Sequence, residues 1–198
     1  VNFISSNDVA MGNLGYDRVE ADFYPTPGWL TEAVVPFLRL HGVTIDTHVW
    51  EPACGDGAMS GVLARSFDKV TSTDLHNYGA VDARAGVDFL KQDVHWKGSI
   101  VTNPPYGDLA EAFIRHALKV TTKHRGVVAM LLRNEYDCAK GRSDLFRLHP
   151  FARKLVLTTR PRWIEDSTGA PRHNYSWFIW DWARVTSDPI LSYHLKGK

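Results

Sequence analysis

Asn103-Pro104-Pro105-Tyr106 is the stretch in which residue type most plainly dictates chemistry. It follows Ile100–Thr102, which reads as a short buried strand. The two prolines fix the backbone and remove two N–H donors, leaving carbonyls that can only accept. With the Asn103 side-chain oxygen, this makes a rigid acceptor pair suited to a planar NH2 group, and Tyr106 offers a π face to a base. An Asn-Pro-Pro turn is in itself an ordinary way to leave a strand. The aromatic placed beside it needs a further reason.

Two other segments supply that reason. Glu51-Pro52-Ala53-Cys54-Gly55-Asp56-Gly57 lies between a predicted strand, His48–Glu51, and a predicted helix near Met59–Ser66. Glycines there let the chain turn sharply and approach a ligand closely. Gly55, Gly57 and Gly61 give GxGxxxG rather than the dinucleotide GxGxxG, and no GK[ST] follows, which excludes a P-loop. Asp74 ends the next predicted strand, Lys69–Thr73, 17 residues after Gly57. A carboxylate at that place accepts two hydrogen bonds from a ribose diol. An isolated Asp would be read as a turn initiator, and the position relative to the Gly turn favours the ribose.

The elements that must position these groups are legible in outline. Residues 1–22 read as an irregular polar arm ending at Phe23-Tyr24-Pro25-Thr26-Pro27. A helix from Gly28 to Gly42 repeats Leu30, Val34 and Leu38, with Thr26 or Thr31 as its cap. Residues 75–86 read as loop and Val87–Leu90 as a short buried piece. Asp108 caps a helix with a stripe of Leu109, Ala112, Phe113, Ala117 and Val120. Gly126–Leu132 is a strand covered on both faces, 134–150 is polar and partly helical, and Leu155–Thr159 and Tyr175–Asp181 form a late antiparallel hairpin around the loop Arg160–His173. The expectation is an α/β, Rossmann-like, mostly parallel sheet in a single domain over 23–198.

Composition narrows the function classes. At 198 residues, 44% hydrophobic and 23% charged, the chain is no disordered tail, and no apolar run reaches the ~20 residues of a membrane span. One soluble domain, with no membrane partner, is expected. Cys54 and Cys138 lack zinc-ligand spacing, and the nine histidines form no HExxH, so no metal site is expected. Reduced thiols in a cytoplasmic protein are the simplest account, a single bridge the alternative. Net charge is +1, yet residues 133–173 hold nine basic against five acidic groups. Such a segment suits a phosphate backbone or is simply a solvated surface.

With these residues in view, the chain resembles the S-adenosylmethionine-dependent N6-adenine DNA methyltransferases, especially small phage and prophage members. The resemblance runs from about Asp22 to Asp181. Phe23, Pro25 and Thr26 resemble the family's motif for the methionine end of the cofactor. Glu51, Ala53, Gly55, Asp56 and Gly57 resemble its main cofactor loop, Asp74-Leu75 its ribose-binding strand end, and Asp88-Phe89 the contact to the cofactor adenine. Asn103 to Tyr106 matches the [D/N/S]PP[Y/F] motif, which implies Asn103, Pro104, Pro105 and Tyr106 as catalytic residues, Asn103 also touching the cofactor. The fold implied is a class I methyltransferase with a seven-stranded sheet.

The reaction implied is in-line methyl transfer from a sulfonium to an exocyclic amine whose lone pair is delocalised. Acceptors on its protons help as positive charge develops in the transition state. A base within a duplex cannot reach such a turn, so flipping or a single-stranded substrate is implied. Tyr106 would cover one face of the base and Trp163 or Trp177 the other, with simple packing the competing role for each Trp. Arg142, Arg147, Arg162 and Arg172 are candidate phosphate contacts. Family members usually carry a separate recognition domain, and only about 17 residues follow Asp181 here, so a specificity partner or a homodimer is a further expectation. Cytosine N4, an RNA base or a protein glutamine are alternative acceptors, with DNA ahead of RNA, and a catalytically idle cofactor-binding subunit is the reading from another class.

Overall fold

The computed structural model describes residues 24–147, 150–164, 168, 170–184 and 188–195. The expected arm over 1–22, and Phe23, lie outside the described residues. In chain order the elements are α1 (Gly28–Leu40), β1 (His48–Pro52), α2 (Ala58–Ala64), β2 (Lys69–Thr73), β3 (Ala83–Arg84), β4 (Ser99–Thr102), α3 (Asp108–Thr121), β5 (Val127–Arg133), α4 (Ser143–Arg147), β6 (Phe151–Leu157), β7 (Tyr175–Asp181) and β8 (Ile190–His194). A 3₁₀ turn, Phe89–Lys91, occupies the short buried piece.

The strands form one sheet in the order β3-β2-β1-β4-β5-β7-β6-β8. β1 to β5 run parallel, β7 lies antiparallel between β5 and β6, and β8 is parallel to β6. This is the expected α/β class, a mostly parallel sheet with late antiparallel strands, although the sheet has eight strands where seven were expected. Two strands were not expected: β3, two residues paired with β2 inside the stretch 75–86 read as loop, and β8, an edge strand whose exposed Leu191 and Tyr193 leave no buried period to read.

Alternation splits the side chains of the central strands into two cores. Val49, Val101, Ala129, Leu131, Trp177 and Ile179 pack with α1 and α2. Trp50, Ile100, Val128, Met130, Phe178 and Trp180 pack with α3 and α4. Because β1, β4 and β5 are covered on both sides, their carboxyl ends are the edge at which side chains emerge into loops. Glu51, Asp74, Asn103 and Arg133 all lie at that edge.

Three local expectations are corrected. Neither Thr26 nor Thr31 caps α1: Pro27 stands at its cap position, Thr31 is buried inside the helix, and the Thr26 hydroxyl is engaged by Asn103. Gly107, with φ 75°, precedes α3, so Asp108 is its first residue rather than its cap. The strand expected at Leu155–Thr159 begins four residues earlier, at Phe151. Arg153 and Lys154 interrupt the apolar pattern there, yet Arg153 is buried. It donates from Nε to His41 Nε2 at 3.2 Å and from Nη1 to Ser192 Oγ. His41 Nδ1–H in turn donates to Asp181 at 3.0 Å. A buried guanidinium with such partners is tolerated where an unpaired one is not. Both cysteines are free thiols, Cys54 buried and Cys138 exposed. Among the described residues no helix is long and apolar enough to cross a membrane.

Two glycines set the spacing of the central strands at their amino ends. A Cβ on Gly98 would stand 2.0 Å from the His48 carbonyl oxygen, and one on Gly126 2.0 Å from the Gly98 carbonyl oxygen. Both contacts are with backbone, which cannot swing aside. Gly126→Ala is therefore expected to destabilise the fold by about 2–3 kcal/mol, the cost typical of overpacking. Urea denaturation checks this, and a midpoint equal to that of the native sequence would refute it.

Candidate active site

Glu51 ends β1, and the next turn reverses within a few residues. Ala53, Gly55 and Gly57 all have positive φ, at 69°, 57° and 86°. For the alanine this conformation is strained. The Cys54 amide donates to the Thr73 carbonyl at 3.0 Å and the Gly57 amide to the Cys54 carbonyl at 2.9 Å, which ties the turn to the end of β2. Asp56 Oδ1 accepts from the Ala58 amide at the start of α2.

Asp74 fixes the turn from the other side. Its Oδ2 accepts from the Gly55 amide at 2.9 Å and its Oδ1 from the His76 amide at 2.8 Å. Its own amide donates to the Arg84 carbonyl, and its carbonyl accepts from the Val87 amide. The excursion 75–87 thus returns to its starting point and delivers Asp88 and Phe89 to the same cavity. Asp88 Oδ1 accepts from the Leu90 amide, and Lys91 pairs with the carboxylate at 2.9 Å, which lowers its pKa. Phe89 is buried edge-on to Trp50, with ring centroids 5.1 Å apart.

Asn103 lies just past the end of β4. Its Nδ2 donates to Thr26 Oγ1 at 3.2 Å, and its Oδ1 accepts from the Tyr106 hydroxyl at 3.4 Å. Thr102 Oγ1 donates to the Pro52 carbonyl at 2.5 Å, so the acceptor turn is bolted to the end of β1. Burial pushes the Tyr106 phenol well above its usual pKa, which keeps it a neutral donor.

These segments line one cavity of about 630 Å³, a size usual for small-ligand sites. Pro25, Thr26, Glu51, Ala53, Gly55, Asp56, Asp74, Leu75, Asp88, Phe89, Asn103, Pro104, Pro105 and Tyr106 all contribute to it. Gly57 stands behind it as the cap residue of α2. The lining contains four carboxyl side chains and no Lys or Arg. Such a surface repels the pyrophosphate of a dinucleotide and accepts a cation or a neutral nucleoside. Cys54 is a neutral thiol, raised to about 12 by burial and by the neighbouring carboxylates, and is no nucleophile at neutral pH.

The expected nucleic-acid contacts divide. Trp163 stands beside Tyr106, with centroids 6.5 Å apart and planes at 80°. Arg162 and Arg172 are exposed on the β6–β7 connection, which leaves and re-enters the sheet at the same carboxyl edge. Trp177 is fully buried and donates from Nε1 to the Leu30 carbonyl, so it belongs to the core. Arg142 lies over the Tyr136 ring at 4.0 Å and donates to that residue's carbonyl. Arg147 closes α4, whose Leu145 carbonyl accepts from Trp180, opposite Val128 near the amino end of β5. That is the far edge of the sheet from Asn103.

Sequence reasoning passed over four groups. Ser60 hydrogen-bonds to Glu51 and Ser72. Tyr78 lines the cavity from the 75–87 excursion. Arg133 ends β5, and Tyr175 stands opposite it on β7. The available signal was position: each of the last two lies at the carboxyl end of its β5 pairing, as Asn103 does on β4.

Comparison with family models and with curated protein sequences gives no match. Solved structures of similar fold include several methyltransferases. The Pyrococcus horikoshii protein PH1948, assigned as an RNA methyltransferase, is 13% identical with a TM-score of 0.65, covering 87% of this chain and 91% of its own. The type I restriction enzyme EcoKI M protein is 13% identical with a TM-score of 0.58, and this chain, matched over 79% of its length, spans 43% of it. The magnesium protoporphyrin IX methyltransferase of Synechocystis, crystallised with S-adenosylmethionine, is 13% identical with a TM-score of 0.52, over 78% of either chain. The Rossmann-like methyltransferase fold is thereby established for this chain.

Glu51 gives the site a titration of its own. It is 2% exposed, and burial, opposed by its bond to Ser60 and aided by Asp56 and Asp74, raises its pKa from 4.5 to about 8. Between those values the folded chain holds a proton that the unfolded chain has released, so stability falls as pH rises through that window. Glu51→Gln, which cannot ionise, is expected to flatten that slope. Urea midpoints at pH 5.5 and 8.5 measure it, and equal slopes in both proteins would refute the assignment.

Proposed function

We propose that this chain transfers a methyl group from S-adenosylmethionine to the N6 amino group of adenine in DNA, the base being swung out of the helix onto Asn103–Tyr106. The observation that carries the reading is the shared cavity: the acceptor turn opens into the same space as the strained Gly turn, Asp74 and Asp88. The fold of the solved methyltransferases adds support.

The residues present suit this cofactor. Phe89 and Leu90 offer an apolar wall for a purine, with Asp88 beside them. Asp74 retains lone pairs for a ribose diol even with both oxygens engaged by amides. Pro25 and Thr26, which line the same cavity, would hold the methionine end. The carboxyl-rich lining favours a sulfonium, which supplies the electrophilic methyl group when bound. Asn103 Oδ1 and the Pro104 carbonyl hold the amine protons and draw the nitrogen towards sp3. Their value rises as the nitrogen gains positive charge, so they act on the transition state more than on the ground state. No strong base is needed.

A second reading keeps the cofactor and takes an RNA base as acceptor. It is favoured by the likeness to PH1948, which spans most of both chains. Mass spectrometry of nucleosides, after incubating DNA and RNA with protein and cofactor, names the modified atom. N6-methyladenine in DNA supports the main reading, and label in RNA or protein alone overturns it.

Two substitutions separate the roles. Asn103→Ala is expected to abolish transfer while leaving cofactor affinity within about threefold, because it removes an acceptor used in the transition state. Asp74→Ala strips the Gly55 and His76 amides of their acceptor and is expected to weaken cofactor binding by about tenfold or more. Calorimetric titration together with transfer assays checks both. Native transfer by Asn103→Ala would exclude the assigned role.

A further inference from the structure

Two rigid segments meet at the acceptor turn. Asn103 precedes Pro104 and Pro105, and Thr26 stands between Pro25 and Pro27. Proline fixes its own φ and drives the residue before it towards extended backbone. Pro27, at φ −52° and ψ 128°, occupies the cap position of α1, and its carbonyl accepts from the Leu30 amide at 2.9 Å. The Leu30 carbonyl in turn accepts from Trp177 Nε1 at 2.8 Å, which seats the start of α1 on β7 in the core. Thr26 is thus presented from a fixed platform, 77 residues away in sequence from Asn103.

Backbone rigidity does not extend to the Asn103 carboxamide. A terminal amide turns about a broad torsion, so what it touches sets its plane. Among the described residues it meets two hydroxyls. Nδ2 donates to Thr26 Oγ1 at 3.2 Å, and Oδ1 accepts from the Tyr106 hydroxyl at 3.4 Å. The second contact is longer and comes from the same turn, three residues on, so it travels with the group it would hold. Thr26 is the fixed reference. It is 8% exposed, so bulk water offers the amide little in place of its hydroxyl.

The plane matters for the reaction. A proton is accepted best near the plane of a carbonyl and its substituents. With Nδ2 tied to Thr26 and one lone pair of Oδ1 taken by Tyr106, the other lone pair is left in that plane for a substrate amine. A carboxamide turned about its torsion would carry this lone pair away from the amine.

We propose that Thr26 is a positioning residue for transfer: its hydroxyl sets the plane of the Asn103 carboxamide and so aims Oδ1 at the target amine. The inference deepens the methyl-transfer reading and rests on it for its catalytic consequence. It differs from the role that the family resemblance gives Thr26, contact with the methionine end of the cofactor, and the two roles predict different kinetics.

Thr26→Val keeps the shape of the side chain and removes the hydroxyl. At saturating cofactor its kcat is expected to fall about tenfold, the scale of a small misplacement of a reacting group, with KM for DNA within about twofold of native. Thr26→Ser, which retains the hydroxyl, is expected to keep most of the rate. A readout independent of activity is the 15N–1H side-chain amide pair of Asn103 in cofactor-free protein, identified by its disappearance in Asn103→Asp. The pair is expected to shift in Thr26→Val and to stay in place in Thr31→Val, whose hydroxyl is buried in α1 with no hydrogen-bond partner among the described residues. Thr26→Ala repeats both measurements if valine perturbs folding. Native kcat with weakened cofactor binding would make Thr26 a cofactor contact alone and overturns the proposal, as does an unmoved amide pair in folded Thr26→Val. A pair that shifts in a protein that methylates no acceptor supports the placement of Asn103 by Thr26 and overturns instead the reaction assigned to the site.

Discussion

Asp74 is the joint on which the cavity depends. Its carboxylate holds the Gly55 and His76 amides, and its backbone closes on Arg84 and Val87. One residue thereby fixes the Gly turn, starts the 75–87 excursion and ends it. The arrangement follows from burial: a carboxylate 8% exposed at a strand end must be supplied with donors, and backbone amides in a tight turn are the nearest ones. The positive φ values at Gly55 and Gly57 aim an amide at it, and the strain at Ala53 is held by the same contacts.

That concentration of carboxyl groups would repel itself were all of them charged. The cavity resolves this by keeping one neutral. Glu51, the most buried of the four, keeps its proton to about pH 8, with Ser60 and Ser72 beneath it. Asp88 is in the opposite state, its pKa lowered by its hydrogen bond to Lys91. A cationic ligand entering such a site would favour ionisation of Glu51, so binding and proton release are linked by the charges already in place.

The sequence disclosed the strand ends better than the strands. Asn103–Tyr106, Glu51–Gly57 and Asp74 each break an apolar run with residues of unusual chemistry, and all three proved to line one cavity. Elements with a buried period, such as β5 and β7, were readable for the same reason. What escaped was set by tertiary contacts. β6 begins at Phe151 because His41 and Ser192, distant in sequence, accept the Arg153 protons. β8 has no buried face, and β3 is two residues long. Trp177 carried no mark separating a base-stacking ring from a core one. Only the Leu30 carbonyl, 2.8 Å from its indole nitrogen, decides that. Arg133 and Tyr175 were invisible as a pair because their contact exists only through the β5–β7 register.

The same register bears on how a macromolecular acceptor would be held. The basic segment 133–173 does not form one surface. Its first half descends along the α3 face, where Lys154 pairs with Asp137 at 2.9 Å and Arg142 lies over the Tyr136 ring, so two of those cations are engaged within the chain. The second half returns at the carboxyl edge, where Arg160 reaches Asn174 and the Pro171 carbonyl, and Trp163 meets Tyr106. A phosphate near the site would meet this returning segment, where Arg162 and Arg172 are exposed. A base delivered to Asn103 would meet its side-chain oxygen with the Tyr106 and Trp163 rings alongside, while phosphate contacts would fix its position without reading its neighbours.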